Sequence, residues 1–205
     1  TGRLAVLLGN PPKEFRATST TVNQLVDAAG KLSQNRKGAL IVVDLGSDLR
    51  PEDFLYSGIK IEAKLSTDLL INLFATDTPL HDGAVLVKGN KIISAGVILP
   101  LSRQGISRYG TRHLAALGIT ERFDRCICIV VSEETGTLSL ANQGKLERPI
   151  TSSRLQELLI KLVGNQNTSG TPKSSSNKTN SYQKTNPNDT ITVEKKLDKP
   201  NTIQD

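Results

Sequence analysis

Apolar positions along this chain change period several times, and each change marks an element. Between Thr18 and Lys37 they fall at Val22, Leu25, Val26, Ala29 and Leu32. That i, i+3, i+4, i+7 spacing lines one helix face, and Ser19, Thr20 and Thr21 offer caps. Gly38 to Leu45 is then an apolar run broken only by Asp44, as expected of a strand covered on both faces. Gly46 to Gly58 reads as a polar loop. Ser66 to Phe74 places Leu69, Leu70 and Leu73 on one side of a second helix.

The segment Gly83 to Leu99 has the pattern of a hairpin. Two apolar runs flank Lys88-Gly89-Asn90-Lys91, whose Gly-Asn pair supplies the positive φ of a tight turn. A third helix is predicted from about Thr111 to Leu117. Strands are expected at Cys126–Val131 and Thr137–Leu140, joined by Ser132-Glu133-Glu134-Thr135-Gly136. A last helix, Ser152 to Val163, carries Leu155, Leu158, Leu159 and Leu162. Helices and hairpins intermix, so the fold class is α/β, with a mixed central β-sheet flanked by helices.

Composition changes this picture at the ends. Of 205 residues, the stretch from Asn165 is rich in Asn, Ser, Thr and Lys, with Tyr182 its only aromatic. It carries too little apolar surface to offset its chain entropy, so 164–205 is expected to be a disordered polar tail. The domain proper is expected at 18–163, with 1–17 as a lead-in. The net charge is +6, about +2 of it in the tail, where six lysines face four acids. That balance fits an anionic ligand. Dense basic patches interleaved with aromatics are missing, which argues against nucleic acid.

Cys126 and Cys128 share one face of a strand at a spacing too wide for a disulfide, and read as small buried hydrophobes in a reducing compartment. No apolar run reaches the length of a membrane span. The chain starts at Thr1 and contains no methionine, so it is expected to be a fragment or processed form, with room for a membrane anchor upstream.

Three segments carry candidate chemistry. In His81-Asp82-Gly83-Ala84, the small residues after Asp82 leave a ligand room to approach. The carboxylate suits a metal, the proton of an attacking hydroxyl, or the cap of a turn, and His81 beside it is a candidate second ligand. Gly110-Thr111-Arg112-His113 opens a helix, where unpaired N–H groups, a hydroxyl and a guanidinium suit a phosphate. Ser132 and Glu134 lie past the end of a buried strand, where ligands of α/β sheets collect. Ser132 suits a phosphate and Glu134 a metal.

These segments recur in one order, together with Gly38-Ala39-Leu40-Ile41, Leu65-Ser66-Thr67-Asp68, Thr78-Pro79-Leu80, Leu99-Pro100-Leu101-Ser102 and Gly118-Ile119-Thr120-Glu121. From Val22 to Val163 the chain resembles the diadenylate cyclase family, which joins two ATP molecules into cyclic di-AMP. The nearest subtype has its catalytic domain after a membrane-spanning region, which implies a place on the cytoplasmic face of the cell membrane.

The resemblance implies catalytic roles for Asp82, Gly83, Arg112 and His113, and nucleotide contacts for Leu99, Gly110, Thr111, Arg112, Ser132 and Glu133. It implies a divalent metal (Mg2+ or Mn2+) at His81, Asp82 and Glu134. It further implies a homodimer that brings two ATP sites face to face, and regulation by a YbbR-domain protein and phosphoglucosamine mutase. One departure stands out. The family's Arg-His-Arg motif runs here as Arg112-His113-Leu114, and Arg103 and Arg108 are candidate substitutes for the second arginine. A nucleotide sensor without turnover is the alternative on the same fold.

Overall fold

A computed structural model describes residues 13–104 and 108–164. The expected lead-in and tail fall largely outside them. Helix α1 spans Lys13–Gln34 and so begins within the expected lead-in. The remaining elements are β1 (Ala39–Asp44), β2 (Ile59–Lys64), α2 (Thr67–Leu73), β3 (Ala84–Lys88), β4 (Lys91–Val97), α3 (Thr111–Arg122), β5 (Cys126–Val131), β6 (Leu138–Asn142), β7 (Lys145–Ile150) and α4 (Ser152–Gly164).

The strands form one seven-stranded sheet in the order β2-β4-β3-β1-β5-β6-β7. β1 and β3 are parallel, with Ile41 opposite Val85, and the other neighbours are antiparallel. The sheet is therefore mixed, as the intermixed pattern implied. Alternation along the central strands divides the core in two. Ile41, Val43, Ile127 and Ile129 pack under α1, α2 and α4 with Leu25, Leu32, Phe74 and Leu155. Leu40, Val42, Cys126, Cys128 and Val130 face α3 with Ala115, Ala116 and Ile119. Each fully buried aliphatic or aromatic side chain contributes about 1.5–3 kcal/mol.

Several boundaries differ from expectation for identifiable reasons. α1 stops at Gln34 because Arg36 turns left-handed (φ 50°), and Lys37 N–H and Arg36 N–H donate back to the carbonyls of Leu32 and Ser33. That is a Schellman closure with arginine in the place where glycine usually flags it. α3 runs five residues beyond Leu117, because Gly118 lies inside the helix: a Cβ there would stand 2.1 Å from the Pro100 carbonyl oxygen and 2.7 Å from Ser102 N. The glycine lets the 100–102 segment lie directly on the helix, with Ser102 N–H donating to the Leu114 carbonyl (2.9 Å). β2 and β7 are the two strands the pattern did not reveal. Both are edges, short and rich in charge, and β7 carries Pro149, as edge strands tolerate. The 46–58 loop holds a short 3-10 turn at Pro51–Asp53.

Candidate active site

The N-terminal ends of β1 and β3 and the C-terminal ends of β4 and β5 meet at one rim of the sheet, since Ala39 pairs with Val131 and Ala84 with Val97. The N-terminus of α3 reaches the same rim. Two adjoining concavities open there. The first, of about 290 Å3, is an apolar slot lined by Leu40, Ala84, Val97, Leu99, Leu101 and Ala115, with Asp82 and Gly83 at its margin. The second, of about 520 Å3, is polar and takes in Arg108, Gly110, Ser132, Glu133, Glu134 and Arg148. Thr111 and Arg112 line both.

Gly110 is the N-cap of α3 and has no side chain with which to cap it. The first-turn N–H groups and the positive end of the helix dipole thus lie at the junction of slot and chamber. Arg112 is held there by an ion pair from Nη1 to Glu133 Oε2 (2.8 Å), with Arg112 only 26% exposed and Glu133 58% exposed. Beneath the guanidinium lies Gly38, just before β1. A Cβ at Gly38 would stand 2.7 Å from Arg112 Nη1, 2.8 Å from Cζ and 3.0 Å from Glu133 Oε2. Ser132 organises the following turn: its Oγ accepts from Thr135 N–H (3.3 Å) and its carbonyl from Gly136 N–H (2.9 Å). The hydroxyl proton remains available to a ligand. Ser33 at the end of α1 donates to the Gly136 carbonyl and ties that turn to the helix.

Asp82 is exposed at the slot margin. His81 is half-buried, and its Nδ1 meets the Thr78 carbonyl, which leaves Nε2 for a further partner. Gly83 owes its place to the backbone behind it: a Cβ would meet Gly96 C at 2.5 Å and Val97 N at 2.9 Å. The clearance expected for a ligand is thus first a clearance for β4. Asp82 borders the slot and Glu134 the chamber, and His81 lines neither. Among the described residues no three His, Cys, Asp or Glu side chains gather as a metal cluster, so His81, Asp82 and Glu134 are not a preassembled cage.

His113 lines the chamber but is 7% exposed, and its Nε2 lies 3.2 Å from Ser139 Oγ on β6. Burial, aided by the charge of Arg148, holds its imidazole below the ordinary value near 6.5. Leu114 points inward at 8% exposure, and Leu117 is buried as well. Arg108 borders the chamber, whereas Arg103 lines neither concavity. Sequence reasoning missed Gly38 as a support of Arg112, and missed Arg148, which lies on the unforeseen strand β7. The free thiols of Cys126 and Cys128 are buried beneath α3, and burial raises the Cys128 thiol well above its ordinary value.

A family model described as the DisA bacterial checkpoint controller nucleotide-binding domain, DAC, matches residues 26–146. The chain belongs to the DAC family. Among curated DAC relatives, the cyclic di-AMP synthase CdaA of Bacillus subtilis is 41% identical over 160 residues, 77% of this chain and 57% of the relative. The diadenylate cyclase of Listeria monocytogenes strain 10403S is 48% identical over 132 residues, 63% of this chain and 47% of the relative. This DAC chain therefore spans about half the length of these curated relatives. A crystal structure of a DacA double mutant from Staphylococcus aureus superposes with a TM-score of 0.64 at 37% identity, covering 70% of this chain and 95% of that one. A structure titled as a hypothetical membrane spanning protein from Bacillus cereus gives 0.58 at 41% identity, covering 63% of each chain. Among the described residues no helix is long and apolar enough to cross a membrane.

Proposed function

We propose that this DAC domain is a diadenylate cyclase that condenses two ATP into cyclic di-AMP and two pyrophosphates. One observation carries the reading: an apolar slot and an arginine-rich chamber share Thr111 and Arg112 as their common wall. Adenine suits the slot beside Leu99. The phosphates suit the chamber, where Arg112, Thr111, Ser132 and the bare start of α3 supply donors. Asp82, at the slot margin, is the base for the ribose 3′-hydroxyl.

Each 3′-oxygen forms a bond to the α-phosphorus of the other ATP. The bond from that phosphorus to the bridging oxygen breaks, pyrophosphate departs, and Asp82 takes the hydroxyl proton. One chain offers one slot, so the reaction needs two protomers with slots opposed across a two-fold axis. Exposed Leu55, Tyr56, Ile98 and Leu101 extend the apolar rim of the slot, and such a surface suits coverage by the second protomer.

The oxygen donors of Asp82 and Glu134 suit Mg2+ or Mn2+, which commonly bind through one or two carboxylates completed by substrate phosphates. The dispersed placement of the protein donors fits that mode. His81 Nε2 is a further candidate ligand. When bound, the ion supplies charge neutralisation at the α-phosphate and pyrophosphate. Glu133 keeps Arg112 at the junction, and buried His113 braces the helix that carries it.

The test is incubation with ATP and manganese at low and high protein concentration, with products separated by chromatography and mass spectrometry. Cyclic di-AMP should form, its yield per molecule should rise until the dimer saturates, and Asp82→Asn should abolish it. ATP left intact by a demonstrably dimeric parent chain would favour the nucleotide sensor.

A further inference from the structure

The Arg112-His113-Leu114 segment places only one cation on the chamber. Leu114 is buried, and its carbonyl is engaged by Ser102 N–H at 2.9 Å. Arg112 already has a carboxylate partner, Glu133 at 2.8 Å, and Glu134 adds a second acid to the same wall. A triphosphate entering this chamber is held more tightly by a second guanidinium, because charge-assisted hydrogen bonds to phosphate are stronger than neutral ones.

Arg108 and Arg148 also line the chamber. Arg148 is the better placed of the two. Its guanidinium lies over the Tyr109 ring, 5.7 Å from the centroid. The Tyr109 ring is 6.3 Å from that of His113, and His113 is anchored to Ser139 on β6. The cation therefore rests on a platform tied to both α3 and the sheet. Among the described residues no carboxylate forms an ion pair with Arg148, although Arg112 and Arg154 are both so paired. A guanidinium stacked on a ring keeps its edge N–H groups free for phosphate oxygens.

We infer that Arg148, seated on Tyr109, is the second phosphate-binding cation of this site and supplies what Leu114 cannot. The inference rests on the ATP reading above and names a residue for it. It also accounts for Leu114: a side chain on the neighbouring edge strand reaches the chamber by another route, so the helix position is released to pack inward.

Binding of a non-hydrolysable ATP analogue and of adenosine to the full chain, by calorimetry, separates the alternatives. Arg148→Ala should weaken the analogue about tenfold or more, the usual loss for a charge-assisted hydrogen bond, and leave adenosine binding and the melting temperature unchanged. Arg148→Gln serves as a second variant that keeps most of the side chain on the strand. Tyr109→Phe should bind like the parent, and Tyr109→Leu should lose affinity for the analogue alone. Analogue binding equal to the parent in the Arg148 variants overturns the inference, as does an equal loss of analogue and adenosine, which would mark a bracing role. A parent chain that binds no analogue would overturn the ATP reading itself.

Discussion

Gly38 precedes β1 with no side chain, and the Arg112 guanidinium occupies the space above it. In Gly38→Ala the new methyl would sit 2.7 Å from Nη1 and 2.8 Å from Cζ, with Glu133 Oε2 at 3.0 Å. Ordinary contact lies near 3.5–4.0 Å, so the guanidinium must withdraw by about 0.7–1.3 Å. It is the far end of a flexible side chain and can do so without moving the sheet. What is lost in stability is the Arg112–Glu133 pair, part-exposed and worth about 0.2–1 kcal/mol, or a few degrees in melting temperature. What is lost in function is larger, because a misplacement of about 1 Å in a positioning group costs on the order of 100-fold in rate. The expected signature is a melt within a few degrees of the parent and cyclic di-AMP formation lowered about 10- to 100-fold at fixed protein and manganese. Activity within about twofold of the parent, with the same melting temperature, would refute the claim that Gly38 holds Arg112 in place. A melting temperature lowered by about 10 °C or more would show that Gly38 serves the fold instead.

Two other perturbations test the supports around the site. Gly118→Ala drives a methyl against three backbone atoms of 100–102, the nearest at 2.1 Å, and should destabilise by about 2–3 kcal/mol, seen as a melting temperature lower by about 5 °C or more. His113 has a depressed folded value because burial and Arg148 disfavour its charge. The unfolded chain thus binds the proton first, and stability should fall as pH drops from about 6.5 through the lower folded value and then level off. Melting curves from pH 7.5 down to 5 should show that decline in the parent, and a smaller one in His113→Asn.

The central strands were legible because both faces are covered. Ala39–Asp44 and Cys126–Val131 are buried at every position, and a short, almost wholly apolar run rich in β-branched residues and too brief for a buried helix marks a strand enclosed on both sides. The edge strands were not. Ile-Lys-Ile-Glu-Ala-Lys in β2 and Lys-Leu-Glu-Arg-Pro-Ile in β7 bury part of one face and display charge on the rest, which also describes a solvated loop. The cost of missing β7 was functional, since Arg148 arrives at the chamber on that strand. Gly83 was legible as a small residue that leaves a ligand room, and it does line the slot, but the Gly96 backbone packed behind it is a second neighbour that the linear sequence does not show.

The chemistry-bearing side chains and the groups that aim them follow different rules of visibility. Asp82, Thr111, Arg112, Ser132 and Glu134 sit within short segments whose residue types announce anion or metal chemistry, and the sheet brings all of them to the walls of the slot or the chamber. Gly38 and Ser33 support Arg112 and the turn after Ser132, and Ser139 and Tyr109 support His113 and Arg148. None of these supports is chemically distinctive, and most act across long stretches of sequence: Ser33 reaches Gly136 and Gly38 lies under Arg112 only because β1 and β5 are paired neighbours. Their roles exist only after the sheet is ordered. That is why the Leu114 departure looked like a missing part in the linear motif, whereas in the folded chain the chamber draws a further cation, Arg148, from the last strand.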